Sequence, residues 1–227
     1  MRLFQPLATL TEQDVNKGLR MMTLEGTVSL GFFSITTTWF LAAYALSLGA
    51  SNLQIGLLAA APFLTRLLQI PSILLVERIR RRKAIAVLTW VPAQLLWIPA
   101  ALIPVFIDVP GGLAISLLLG IVTLRGVLVA VVDTAWQGWA RDLVPQQILG
   151  RFYSRRLAYA TITASVFGIG AAVFVDVWTA RAPVDSQVLG YTTALLFGTV
   201  FLGLLSHVFM ARMPEPLMLK PVLVLRW

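Results

Sequence analysis

The sequence predicts an all-α integral membrane protein with six transmembrane helices and both termini in the cytoplasm. Of its 227 residues, 58% are hydrophobic and only 12% are charged, whereas soluble domains carry about 25% charged residues. Apolar runs long enough to cross a hydrocarbon core of about 30 Å recur along the chain. Basic residues collect at alternate connections between these runs, which is the pattern that orients membrane helices.

The predicted spans divide the chain into three regions. Residues 1–23 are mixed polar and apolar, and Thr11 and Asp14 have the spacing of a capping box, so we expect a short cytoplasmic or interfacial helix there. Residues 24–210 form the six-helix transmembrane domain. Residues 211–227 form a cytoplasmic tail whose prolines end the last helix. The spans are predicted at 24–48, 53–76, 84–107, 112–139, 157–178 and 188–210.

The first and third spans carry features that are unusual in a lipid-facing helix. The first contains three consecutive threonines at 36–38, which predict that part of its surface faces a polar cavity. The third contains Pro92, Pro99 and Pro104. Proline lacks the N–H group that closes a helical turn, so we expect a kink or an interruption in this span.

The distribution of lysine and arginine predicts the topology. Fifteen of the eighteen lie on one side of the membrane, Arg181 lies on the other, and Arg66 and Arg125 lie within spans. Positive charges are retained in the cytoplasm, so both termini are expected there, in a multi-pass protein of the inner (cytoplasmic) membrane. The fifteen residues are Arg2, Lys17, Arg20, Arg78, Arg80, Arg81, Arg82, Lys83, Arg141, Arg151, Arg155, Arg156, Arg212, Lys220 and Arg226.

The composition also argues against several classes of function. The net charge is +8, but the basic residues form short clusters rather than a continuous face, so no nucleic-acid partner is expected. The chain has no cysteine and one histidine, which leaves no thiolate or multi-histidine metal site. It has no glycine-rich phosphate loop and no nucleophile beside a base. We therefore expect neither enzymatic activity nor a cofactor.

Residues 73–82, between the second and third spans, read Ile-Leu-Leu-Val-Glu-Arg-Ile-Arg-Arg-Arg. This stretch resembles the motif Gly-x-x-x-Asp-Arg-x-Gly-Arg-Arg/Lys of major facilitator superfamily transporters. The acidic position and three basic positions are kept in type, whereas Ile73 and Arg80 replace the two glycines. The residues at the matching positions are Ile73, Glu77, Arg78, Arg80, Arg81 and Arg82.

Two further features support the resemblance. Residues 136–145 and 150–156 are similar to the connection between spans four and five in some bacterial members, and Arg125 with Gly126 is similar to a buried arginine of span four. The chain as a whole resembles the N-terminal six-helix half of such a transporter. That resemblance implies a repeat of three plus three helices, and transport of a small solute by alternating access between two halves.

Ionisable residues within the bilayer are the candidate functional residues, because a charge at mid-bilayer costs roughly 2.5–3.5 kcal/mol. Arg125 is expected either to contact the solute or couple protons, or to lock helices together. Asp133 is eight residues further on, about 12 Å along the helix and about 80° around it, so a direct pair with Arg125 is not expected. Glu25, through a shared proton, and Arg66 are its expected partners. Glu25 is either a protonatable cavity residue or a carboxylate that stabilises a helix N-terminus.

Other residues receive roles from their positions in the spans. Trp39, Gln94 and Trp136 are expected to line the solute pathway, and Arg66 is expected to be a gate or packing residue that faces the other half. Trp90, Trp139 and Trp178 lie near predicted span ends and are expected to be interface anchors. The resemblance implies a cytoplasmic gate at four motif residues, which are Glu77, Arg78, Arg81 and Arg82.

Two hypotheses about function follow. In the first, the chain is a secondary transporter or half of one. It then forms a homodimer, pairs with a second transporter half, or is a truncated product. Its partners are then the lipid bilayer and a small solute, with proton coupling as an option. In the second, the chain is a non-transporting six-helix subunit or scaffold of a larger membrane complex. A transporter half should expose a semi-polar face from spans one and four, whereas a scaffold tolerates apolar residues there.

Overall fold

The computed structural model describes residues 4–218, and within that range the chain forms six long helices. All six are long and apolar enough to cross a membrane, which confirms the predicted number of spans. Among the described residues, the only extended pairing is one isolated β-bridge. The helices are α1 (Glu12–Ser47), α2 (Asn52–Ile79), α3 (Arg82–Phe106), α4 (Gly112–Leu143), α5 (Gln146–Arg181) and α6 (Val184–Arg212).

Helices α1 and α5 begin well before their predicted spans. The expected capping box starts α1: Thr11 Oγ1 accepts a hydrogen bond from Asp14 N at 3.2 Å, and Asp14 Oδ2 accepts one from Thr11 N at 3.1 Å. Helix α5 opens with a 3-10 turn and is α-helical from Leu149 rather than from residue 157. An apolar run predicts only the part of a helix that lies in the hydrocarbon core. Polar residues can extend the same helix beyond that core, and an apolar run does not show them.

Four of the six helices are interrupted along their length. The break in α3 falls at Leu96, where Pro99 has no N–H to offer the carbonyl of Leu95. This is the interruption that the prolines predicted. The other breaks lie at Thr37 in α1, at the 3-10 turn Arg66–Leu68 in α2 and at the π-helical turn Gly198–Gly203 in α6.

A side chain of α1 compensates for another proline of α3. Pro104 leaves the carbonyl of Ala100 without its helical donor, and Tyr44 Oη donates a hydrogen bond to that oxygen at 2.8 Å. Thr192 of α6 donates to the neighbouring carbonyl of Ala101, also at 2.8 Å. Backbone groups in the membrane interior must be satisfied within the protein, and these contacts tie α1, α3 and α6 together.

The helices pack in a pattern with internal symmetry. Helix α1 packs mainly against α5 and α6, α4 packs mainly against α2 and α3, and α3 packs against α6. When α1 is exchanged with α4, α2 with α5 and α3 with α6, the same pairs of helices are in contact. Helices α2 and α5 bury the smallest share of their residues, and they occupy equivalent positions under this exchange.

Close contact between α2 and α4 depends on Gly126, the neighbour of Arg125. A Cβ atom at this glycine would lie 2.5 Å from Thr65 Oγ1 and 2.9 Å from Thr65 Cγ2. Thr65 Oγ1 in turn donates to the carbonyl of Ala61 at 3.0 Å, which holds the side chain in place. Small residues at contacts between membrane helices allow such close approach. Here they allow the middle of α2 to pack against α4 next to Arg125.

The two ends of the described chain pair with each other. Leu7 N donates to Glu215 O at 2.8 Å and Leu217 N donates to Leu7 O at 2.9 Å; we call this contact the terminal bridge. Trp139 Nε1 anchors it to α4 by donating to Pro214 O at 2.8 Å. Both ends therefore lie on the same side of the bundle, as an even number of spans requires. Arg2 of the N-terminal segment and the predicted tail residues Lys220, Pro221 and Arg226 lie outside the described residues.

Candidate functional site

Three of the predicted site residues line one cavity. Glu25 of α1 and Asp133 and Trp136 of α4 surround a volume of about 370 Å³, to which α5 contributes Arg156. The rest of its lining is largely apolar. It consists of Gly26, Ser29, Leu30, Phe33, Trp90, Val132, Tyr153, Leu157, Ala160 and Met210. We call this space the central cavity.

Glu25 forms an ion pair inside the central cavity. Its Oε2 accepts a hydrogen bond from Arg156 Nη2 at 2.9 Å, and Arg156 Nε donates to Met22 O at 3.0 Å. The ring of Trp136 lies 5.0 Å from Arg156 Cζ, within the range of a cation–π contact. Glu25 is only 4% exposed and lies well inside α1. The alternative in which it stabilises a helix N-terminus is therefore wrong.

Sequence reasoning missed Arg156 as a site residue. It placed Arg151, Arg155 and Arg156 in a connection between spans, whereas all three lie in α5. The connection itself is short, because α4 ends at Leu143 and the 3-10 turn that opens α5 starts at Gln146. The partner of Arg156 is 131 residues away in the sequence, and local patterns give no signal of such a pairing.

Asp133 has no ion pair within 4 Å among the described residues. It interacts electrostatically with Arg66 and Arg125 at longer range, which agrees with the expectation that a direct pair with Arg125 does not form. Its other expected partner, Glu25, lines the same cavity but is already paired with Arg156.

Arg125 is enclosed by aromatic rings. It is 8% exposed, and its Cζ lies 5.8 Å from the ring of Phe33, 5.7 Å from Trp90 and 5.3 Å from Trp97. Nε and Nη2 are buried and have no hydrogen-bond partner among the described residues. Three rings therefore stabilise the positive charge of Arg125, while Nε and Nη2 have no acceptor in the described part of the chain.

The remaining predicted aromatic residue, Trp39, lies elsewhere. It is 50% exposed and lines a groove of about 550 Å³ between α1 and α5, next to the helix break at Thr37. Ser34, Thr161 and Ser165 give this groove polar lining. Leu30 and Phe33 line both this groove and the central cavity, so the two spaces adjoin each other.

Three expectations about buried residues require correction. Gln94 is completely buried and packs against Gly203 of the π-helical turn, so it does not line an open pathway. Trp90 and Trp139 are not interface anchors: both are buried within the bundle. Their positions near predicted span ends were misleading because the helices extend beyond those spans and pack tightly there.

The motif residues separate into two groups. Arg82 is 3% exposed, and its Nη1 donates to Asp142 Oδ2 at 2.6 Å and to Gly138 O at 2.8 Å. Its Nη2 donates to Pro216 O in the terminal bridge at 3.3 Å. By contrast, Glu77, Arg78 and Arg81 are exposed and form no ion pair within the described part of the chain.

The buried Glu215 completes this arrangement beside Arg82. Burial raises the pKa of its carboxyl group, while hydrogen bonds from the backbone of Lys83 and Arg82 act in the opposite direction. Lys83 is itself buried and interacts electrostatically with Glu215. The terminal bridge and the start of α3 are thus joined by charged groups as well as by backbone pairing.

Arg80 ends α2 in the left-handed conformation, with φ 57° and ψ 23°. Its N–H donates to Val76 O at 2.8 Å, the bond that closes a left-handed helix C-terminus. The motif that this stretch resembles has glycine at this position, and glycine adopts positive φ without steric cost. Arg80 forms the left-handed turn here without a glycine.

Arg80→Gly is expected to stabilise the protein by about 1 kcal/mol, because a non-glycine residue pays roughly 1–2 kcal/mol in the left-handed region. Arg78→Gly, two residues earlier and inside α2, is the matched control and is expected to destabilise by about 1 kcal/mol. Thermal unfolding in detergent micelles measures both changes. A lower melting temperature for Arg80→Gly would contradict the left-handed turn.

Comparison of the chain with the models of known families, with curated proteins and with solved structures gives no match in any of the three.

Proposed function

We propose that this chain is half of a secondary transporter, which pairs with a second six-helix half and moves a small solute by alternating access. The second half is another copy of the chain or a separate subunit. The central cavity and the adjoining groove with Trp39 form this chain's side of the solute pathway. Glu25, Arg156, Asp133 and Arg125 are the residues that contact the solute or couple its movement to protons.

The observation that carries the proposal is the group of charged side chains that α1, α4 and α5 place around one cavity. Glu25, Asp133 and Arg156 line the central cavity, and serine and threonine side chains line the groove beside it. Charged groups that face lipid are costly, whereas those that face a water-filled pathway between helices are not. A solute pathway shared with a partner half explains why charged residues lie in a cavity whose lining is otherwise largely apolar.

Arg66 supports the same arrangement. It is exposed, and it lies at the middle of α2 with about 20 Å of helix on either side. Within the chain it contacts the ring of Phe63, with its Cζ 5.5 Å from the ring centre. A guanidinium at this depth needs a polar environment, which a second half placed against α2 supplies. The proposal therefore places Arg66 on the side of α2 that faces the partner.

The packing pattern adds a second line of support. Helices α1–α3 and α4–α6 make matching contacts, and a repeat of three plus three helices would produce this pattern. The least buried helices are α2 and α5, which this symmetry relates to each other. Transporters of this kind place their solute site where such repeats meet near the bilayer midplane.

Cysteine accessibility tests alternating access without knowledge of the solute, because the chain contains no native cysteine. Ser34→Cys and Ser165→Cys place thiols in the groove. Membrane vesicles of both orientations are treated with a membrane-impermeant maleimide. We expect both thiols to be labelled from either side of the membrane. Leu88→Cys, on the exposed apolar surface of α3, is the control and should stay unlabelled from both sides.

The mass of the particle in a lipid nanodisc identifies the partner. Two copies of the 24.9 kDa chain, or this chain with one six-helix subunit of similar size, are expected. Labelling of the groove from one side only, together with several larger co-purifying subunits, would contradict transport and favour the scaffold hypothesis.

A further inference from the structure

The unpaired edge of Arg125 has a defined geometry. Nε and Nη2 lie on the same side of a guanidinium group, and their N–H bonds point in parallel toward one acceptor group. In Arg125 both nitrogens are buried and lack a partner among the described residues. Because this pair of donors matches the two oxygens of a carboxylate, it is the part of an arginine that forms bidentate contacts.

In Arg156 the same two donors, Nε and Nη2, both have acceptors. Its Nε donates to Met22 O and its Nη2 donates to the carboxylate of Glu25. Both arginines also lie against aromatic rings. The two sites therefore differ in one respect: the protein supplies acceptors for Arg156 and supplies none, in the described range, for Arg125.

The surroundings of Arg125 fit an apolar group next to a single negative charge. The rings of Phe33 and Trp90 contact its guanidinium and also line the central cavity. The cavity lining nearby is mostly apolar, and it includes the carboxyl group of Asp133. A monoanion balances the charge of Arg125, whereas a second negative charge would meet only Arg156, which is already paired with Glu25.

We propose that Arg125 binds the carboxylate of a small organic acid with an apolar body, which occupies the central cavity. This assignment rests on the proposed function and names the class of solute that the pathway takes. The carboxylate accepts hydrogen bonds from Arg125 Nε and Nη2, and the apolar body packs against Phe33, Trp90 and Val132. Arg125 is not among the residues that line the central cavity; Phe33 and Trp90 contact both its guanidinium and that space, so one of these rings must turn aside for the carboxylate to reach Arg125.

Benzoate is the probe, and benzamide is its uncharged counterpart of nearly the same shape. The full chain in nanodiscs is titrated with each, and its intrinsic tryptophan fluorescence, to which Trp90 and Trp97 next to Arg125 contribute, reports binding. We expect a saturable change with benzoate and at least about tenfold weaker binding of benzamide, because a site built for a charged acceptor rejects a ligand that lacks it. Equal affinity for the two compounds, or no saturable binding of benzoate, would overturn the assignment.

Arg125→Lys tests the forked geometry, because lysine keeps the charge but lacks the parallel donors. We expect benzoate affinity to fall about tenfold or more. Arg155→Lys, an exposed position in α5, is the matched control and should bind benzoate as the parent does. Unchanged affinity in Arg125→Lys would also overturn the assignment. The benzamide comparison uses the parent protein, so it tests the carboxylate site even when the lysine variant does not fold.

Solute uptake provides the functional counterpart. In proteoliposomes, Arg125→Ala is expected to abolish accumulation of radiolabelled benzoate while the variant still folds and inserts. Labelling of the groove from both sides without benzoate binding would overturn the carboxylate assignment alone. Benzoate binding with labelling from one side only would overturn transport and leave a carboxylate site.

Discussion

Gly26→Ala is expected to destabilise the protein, but by less than removal of the Glu25 carboxylate. A Cβ atom at position 26 would meet Cζ, Nε and Nη2 of Arg156, so the end of this flexible side chain must shift and its hydrogen bonds to Glu25 and the carbonyl of Met22 weaken. Removal of Glu25 leaves Arg156 without its partner, which costs about 3–5 kcal/mol, and a shifted guanidinium loses only part of this. Thermal unfolding in detergent micelles measures the loss for Gly26→Ala and Glu25→Ala.

Two further variants serve as controls for the stability measurements. Gly170→Ala, inside α5, meets no atom within 4 Å and is expected to be neutral or to stabilise by up to about 1 kcal/mol. Glu25→Gln keeps an oxygen acceptor for Arg156 and should lose less stability than Glu25→Ala. A Glu25→Ala protein that unfolds like the parent would contradict the ion pair between Glu25 and Arg156.

Arg82→Ala is expected to cost about 3 kcal/mol and to loosen the terminal bridge. The side chain is buried and donates to Asp142, Gly138 O and Pro216 O, and hydrogen bonds that involve a charged group contribute about 1.5–3 kcal/mol each. Water reaches part of the site after truncation, so the full sum is not lost. Unfolding in detergent gives the stability change, and proteolysis of the tail after Met210 reports whether the bridge has opened.

Arg81→Ala is the matched control for Arg82, because it changes the adjacent, exposed motif residue. Its expected effect lies within about 0.5 kcal/mol. Arg82→Lys should fall between the two alanine variants, since an ammonium group donates hydrogen bonds but does not reproduce the planar fork. Equal effects for Arg81→Ala and Arg82→Ala would remove the structural distinction between the two.

The membrane helices were predictable because the bilayer imposes a strong length requirement on apolar runs. The polar extensions of α1 and α5 were not, since nothing in the hydropathy of residues 12–23 or 149–156 separates a helix in water from a loop. Only the capping box at Thr11 signalled the true start of α1. The break at Leu96 was foreseen from proline chemistry, whereas the π-helical turn in α6 has no comparable residue signal.

The candidate site was predictable in its charged residues but not in their partners. Arg125, Asp133 and Glu25 stood out because charges within spans are rare. That Glu25 meets Arg156, and that Arg125 meets three rings instead of a carboxylate, depends on how distant helices pack. The motif was recognisable as a pattern, yet burial separates Arg82 from its neighbours, and burial is a property of the fold.

The terminal bridge has a consequence for how two such bundles can be joined into one polypeptide. Leu7 and Pro216 lie side by side at one end of the molecule, so a flexible tether from the last helix of one copy to the first helix of another stays on a single side of the lipid. Tandem duplication therefore needs no additional membrane crossing and no inversion of the second copy. A genetically concatenated dimer with one altered copy provides a direct way to ask whether both members contribute a residue such as Arg125.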